Sequence, residues 1–94
     1  MKTKTKITDN LYHVISEPGD HTRYDYMVYK NYDNYSFMPV ESTFRFPQRL
    51  NIYSVRGIDE KRIREIAEYE NCNYYTLLEC IRTMEELDAN TSKY

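Results

Sequence analysis

At 94 residues and a formal net charge of −2, the chain has room for one small core, burying about 60–65% of its unfolded surface. That length excludes a catalytic domain joined to a separate regulatory one. The near-neutral balance also argues against a polycation built for nucleic acid or an acidic mimic of it.

Reading from the amino terminus, Lys2, Lys4 and Lys6 alternate with Thr3, Thr5 and Ile7. Residues 1–8 are expected to be a flexible arm or an edge strand. As a strand, they place the lysines on one face, to guard the edge against aggregation or to track phosphates. No apolar signal core opens the chain and no run is long enough to cross a bilayer, so the expected location is the cytoplasm, without a membrane partner.

The first core strand is predicted over Asn10–Ser16, closed by the turn-forming run Glu17-Pro18-Gly19-Asp20. A second is predicted over Arg23–Lys30, and Tyr32-Asp33-Asn34 then loops into a third, Tyr35–Glu41. Pro39 lacks an N–H, which predicts an edge or a bulge for it. Thr43–Phe46 reads as a short further strand. A final strand, with Leu50 and Ile52 facing one way, runs to Arg56-Gly57.

After Gly57 the pattern changes to a helical period. Asp59 suits the N-cap of a first helix, with Ile58 and Ile63 as a hydrophobic staple and Ile63, Ile66 and Ala67 as its apolar stripe. Glu60–Arg64, Lys61–Glu65 and Arg64–Glu68 are spaced as ion pairs on its wet side. Asn71-Cys72-Asn73 breaks the helix. A second helix is predicted from Tyr74 to about Leu87, capped by Asn73, with Leu77, Leu78, Ile81, Met84 and Leu87 inward. The whole, residues 1–94, reads as one α+β domain with a frayed tail over 88–94. Its antiparallel sheet of four or five strands is followed by two C-terminal helices packed on one face.

Eleven tyrosines beside two glycines and no tryptophan are more aromatic rings than so small a core needs. A tyrosine carries a large rigid apolar surface with a polar tip, which suits both half-buried strands and binding surfaces. The expected site is therefore a tyrosine-bearing sheet surface made of Tyr24, Tyr26, Tyr29, Tyr32, Tyr35, Phe37 and Tyr53. The alternation does not tell which sheet face is the outward one.

Charge supplies the competing site. From Arg45 to Arg64 there are six basic residues against Asp59 and Glu60, whereas Glu65–Tyr94 holds seven acidic residues against Arg82 and Lys93. Arg45, Arg49, Arg56, Lys61, Arg62 and Arg64 form a basic band able to meet phosphates or an acidic partner. Tyrosines beside it would stack single-stranded nucleic acid.

His13 and His21 are the only histidines, and neither shows a nucleophile–base spacing. No catalytic residue is assigned, and a small metal-independent RNase is the enzymatic alternative. The histidines and thiols lack metal-ligand spacing, so neither a metal nor a cofactor is expected. Cys72 and Cys80 lie eight apart on the helical pattern, about 12 Å, too far for the roughly 7 Å reach of a disulfide.

Ile66-Ala67, Asn71, Cys72, Thr76-Leu77 and Cys80 together resemble a helix-turn-helix. The resemblance implies a nucleic-acid-binding regulator using the hairpin 59–87. Its second helix, however, opens Tyr74-Tyr75-Thr76 and carries Glu79, with no basic residue before Arg82. In size, scarcity of glycine and aromatic content the chain is similar to the small inhibitors that phages direct against host defence or transcription complexes. That resemblance implies a non-enzymatic protein that blocks a host protein or complex in the host cytoplasm; the sequence leaves the oligomeric state open, a dimer included. The resemblance carries no motif and assigns no residue.

Overall fold

The computed structural model describes residues 1–19, 21–32, 34–40, 50–53 and 59–91. The order is five strands then two helices: β1 Lys2–Lys6, β2 Leu11–Gly19, β3 Thr22–Asn31, β4 Asn34–Pro39, β5 Leu50–Tyr53, α1 Glu60–Tyr69 and α2 Tyr74–Thr91. This is an α+β chain. Its contacts fall into two compact units, Met1–Arg56 and Gly57–Tyr94. The predicted strand Thr43–Phe46 and the far end of the final strand lie outside the described residues.

The first unit is a five-stranded sheet in sequence order, every neighbour antiparallel. Short connections from β1 to β4 and period-two patterning favour such a meander. The arm is the edge strand β1, with Lys2 opposite Ser16, Lys4 opposite Val14 and Lys6 opposite Tyr12. The turn back to β2 is closed by Ile7 N–H donating to the Leu11 carbonyl at 2.8 Å.

Two expectations about proline need correction. Strand β2 does not stop before Glu17-Pro18-Gly19. It runs through them, with a register shift between Ser16 and Gly19 before Gly19 pairs with Thr22. Such an irregularity takes a residue without an N–H out of the ladder, which is how Pro18 is accommodated. Around that closing pair, Gly19 sits at φ 124° and His21 at φ 61°. Pro39 lies neither on an edge strand nor in a bulge, since β4 is internal. It ends that strand opposite Tyr26, and the next N–H, that of Val40, still donates to the Asp25 carbonyl at 2.9 Å.

Side chains alternate between faces, so the register sorts them. One face carries the rows Tyr12–Val28–Phe37–Leu50, Val14–Tyr26–Pro39 and Lys30–Tyr35–Ile52. Val14, Tyr26, Val28, Phe37 and Leu50 are fully buried there, with Tyr24, Tyr35 and Ile52 nearly so. The Tyr26 and Phe37 rings lie 6.0 Å apart and tilted, a favourable aromatic arrangement. Lys30 places its Nζ 5.5 Å from the Tyr35 ring centroid.

The second unit is a helical hairpin whose ends follow from local chemistry. Asp59 Oδ1 accepts from Arg62 N–H at 2.8 Å, capping α1 as expected. At the other end Asn71 sits at φ 52°. Its N–H donates to the Glu68 carbonyl at 3.2 Å, while Cys72 N–H reaches the Ala67 carbonyl at 2.8 Å. Those two bonds around a left-handed residue are a Schellman stop, which asparagine tolerates better than most side chains.

Asn73 Oδ1 then accepts from Tyr75 N–H at 2.9 Å and opens α2. This helix is a turn longer than expected, continuing to Thr91. Its buried set is also wider. Leu77, Ile81, Met84 and Leu87 are buried as predicted, and Thr76, Glu79, Cys80 and Thr83 are buried with them, whereas Leu78 is only half-buried. Thr83 Oγ1 donates to Glu79 Oε2 at 3.1 Å one turn back, so the carboxylate enters this environment with a hydrogen bond.

Candidate interaction face of the sheet

The sheet has a second face, set by the same register one residue out of phase. Its middle row is His13–Met27–Met38, flanked by Leu11–Tyr29–Ser36 on one side and Ile15–Asp25 on the other. Leu11, His13, Ile15, Met27 and Met38 are half-buried, and Tyr29 keeps 41% of its surface exposed. Thr3, Thr5, Arg23 and Asn51 are exposed around this centre. An apolar middle with a polar border is the anatomy of a protein interface. Two opposed methionines give it an adaptable floor.

The charged groups of the face bind one another. His13 Nε2 lies 2.6 Å from Asp25 Oδ1, and Arg23 Nη1 lies 3.6 Å from Asp25 Oδ2. Asp25 thus draws both potential cations inward along the ladder. Ser36 Oγ donates to Asn51 Oδ1 at 2.6 Å between β4 and β5. Among the described residues this face offers a partner apolar surface and neutral hydrogen-bonding groups, with Arg23 its one fixed cation.

Of the seven aromatic residues expected at the site, four do not face outward. Tyr24, Tyr26, Tyr35 and Phe37 are 7%, 0%, 2% and 0% exposed and belong to the buried face. The reason is phase: Tyr24 and Tyr26 alternate in step with Val28, and the β3–β4 register brings Tyr35 and Phe37 to the same side. Tyr29 is one residue out of step and so lies on the other face. Tyr32 is 90% exposed at the β3–β4 connection. Tyr53 pairs with Asn34 through the backbone, and its side chain lies outside the described set.

Of the basic band, Arg45, Arg49 and Arg56 are likewise outside the described residues. Lys61, Arg62 and Arg64 are exposed on α1. Arg62 pairs with Glu65 at 3.2 Å and Arg64 with Glu60 at 2.8 Å. Arg64 also stacks 4.8 Å over the Tyr74 ring. The residues carrying the helix-turn-helix resemblance mostly pack inward, Ala67, Thr76, Leu77 and Cys80 being buried. Only Tyr75, Arg82 and Glu85 of α2 are exposed among its described side chains.

Cys72 and Cys80 are thiols rather than a disulfide. Burial, aided by the Glu70 carboxylate, pushes the Cys72 thiol up to about 11. That makes it a poor nucleophile at neutral pH.

Sequence reasoning did not single out Leu11, Ile15, Met27, Met38 or the His13–Asp25 pair. No local signal marked them, because Val14 lies beside the equally apolar Ile15 and Val28 beside Met27, so alternation alone does not set which face is buried. Nor did it select Tyr69 and Tyr75, 87% and 70% exposed on the helices. Among the described residues, no helix is long and apolar enough to cross a membrane. Comparison with protein families, curated proteins and solved structures found no match.

Proposed function

We propose that this chain is a non-enzymatic binding protein that docks on another protein through the His13–Met27–Met38 face and blocks or modulates it. The observation that carries the reading is the make-up of that face. Its middle row sets the apolar Met27 and Met38 beside His13, and among the described residues its fixed charges, Arg23 and Asp25, are 3.6 Å apart. Exposed aromatics at protein interfaces often act as anchors, and Tyr29 and Tyr32 occupy that role at the end of β3. A phage-type inhibitor acting on a host defence or transcription complex, in the host cytoplasm, fits this chemistry and the small size of the chain.

A nucleic-acid-binding regulator is the competing class. It would rest on the basic band or on the helical hairpin, yet Arg62 and Arg64 have carboxylate partners and α2 turns a single cation outward. Retention on an immobilised nucleic acid separates the two readings. A protein-docking chain elutes at low salt, whereas one that neutralises several phosphates loses affinity by orders of magnitude as salt rises.

A further inference from the structure

We infer that, in the absence of its partner, the same sheet face is covered by a second copy of this chain packed about a two-fold axis. The inference rests on the protein-docking reading above and adds what regulates that site. Its ground is the internal symmetry of the face. The register places Leu11 and Tyr29 two residues to one side of the middle row, and Ile15 and Asp25 two residues to the other. An axis running along the row His13–Met27–Met38, across the strands, exchanges those two sides.

Under that operation Leu11 meets Ile15 of the partner subunit, apolar against apolar. Tyr29 meets Asp25 of the partner subunit, a phenol donor against a carboxylate acceptor. His13, Met27 and Met38 each meet their own counterpart on the axis, His13 with its ring nitrogen already held by Asp25 of its own chain. A two-fold interface needs a surface complementary to itself under such an exchange. The charges permit it too, because Arg23 and Asp25 sum to zero and two copies approach without net repulsion.

Edge-to-edge pairing through β1 is a poorer route to self-association. Antiparallel pairing of two β1 strands would set Lys2, Lys4 and Lys6 against one another on one face, and like charges directly opposed destabilise a ladder.

Size sets the strength. From β1 to β4 the face is about 14 Å wide, and the three rows span about 14 Å along the strands. A footprint of roughly 200 Å² per copy is well below the ~800 Å² of a standard interface. The dimer should therefore be weak and reversible, and a larger complementary partner would displace it.

The experiment is sedimentation of the purified chain between about 10 µM and about 1 mM, for the wild type, Met27→Lys, Met27→Glu and an equimolar mixture of the two variants. The wild type is expected to pass from monomer to dimer across that range. Each variant alone should remain monomeric, because like charges meet on the axis, while the mixture should associate again. Recovery on mixing also shows that both variants are folded. A wild type that stays monomeric at the top of the range overturns the inference, as does a dimer that persists in both variants. Failure of the mixture to associate, with thermal midpoints intact, overturns the axis. None of these results alters capture of a different protein by the face, so the docking reading stands or falls separately.

Discussion

His13 Nε2 lies 2.6 Å from Asp25 Oδ1, joining β2 to β3 between the apolar side chains of Ile15 and Met27. The two side chains retain 32% and 19% exposure, so the bond is neither fully wet nor fully desolvated. A double-mutant cycle with His13→Ala and Asp25→Ala, read by urea denaturation, should give a coupling of about 0.5–1.5 kcal/mol. A coupling near zero would mean that the pair holds nothing together.

Tyr32 occupies φ 56° while 90% exposed. A hairpin closed by two residues, as the Asn31–Asn34 pairing requires here, needs its first connecting residue at positive φ. Glycine meets that requirement freely, whereas a tyrosine carries a cost of roughly 1 kcal/mol. Tyr32→Gly should therefore raise the thermal midpoint by several degrees. The proposed docking role assigns this exposed side chain to contact with the partner. The same variant should bind the partner less well, and a gain in both stability and affinity would remove Tyr32 from the site.

The buried tyrosines should behave in the opposite way. Tyr26 has no exposed surface, and Tyr26→Ala should cost about 3–5 kcal/mol, a large share of the roughly 5–10 kcal/mol available to a chain of this size. Tyr29→Ala, on the other face, should shift the midpoint little. Equal effects of the two substitutions on stability would contradict the assignment of faces.

Cys72 gives a pH-dependent test. Its thiol is raised from 9.0 to about 11, so the unfolded chain ionises first as the solution becomes alkaline. The contribution to stability is complete below pH 9 and declines between about 9 and 11. Alkylation of Cys72 by iodoacetamide at pH 7.5, a reagent condition well below that range, should be far slower in the native than in the urea-unfolded chain. Rapid native labelling would refute the shift.

The positions of the elements were largely legible because local chemistry decides them. Asp59, Asn71 and Asn73 mark the helix ends through bonds made within three residues, and the strands from Leu11 to Pro39 follow from alternation and turn residues. Three features were not legible. The continuation of β2 through Pro18 depends on a register shift against β3, a non-local property. The added turn of α2 beyond Leu87 lacks a stop residue to mark either boundary. Most consequentially, alternation in β3 assigns Tyr24 and Tyr26 to one face and Tyr29 to the other without saying which is buried. That choice rests on packing by Val14, Val28, Phe37 and Leu50 together. Four of the aromatics expected at the site, Tyr24, Tyr26, Tyr35 and Phe37, thus lie on the buried side of the sheet.

The central claim, docking of another protein on the His13–Met27–Met38 face, is tested most directly by affinity capture with matched variants. Met27→Lys places a charge in the apolar middle row, whereas the triple substitution of Lys61, Arg62 and Arg64 by alanine removes the described part of the basic band. A partner protein retained stoichiometrically by the wild type should bind Met27→Lys at least about thirtyfold more weakly, a loss of roughly 2 kcal/mol. Its affinity for the triple variant should be close to that for the wild type. Undiminished binding by Met27→Lys, with binding lost in the triple variant, would contradict the account and move the site to α1.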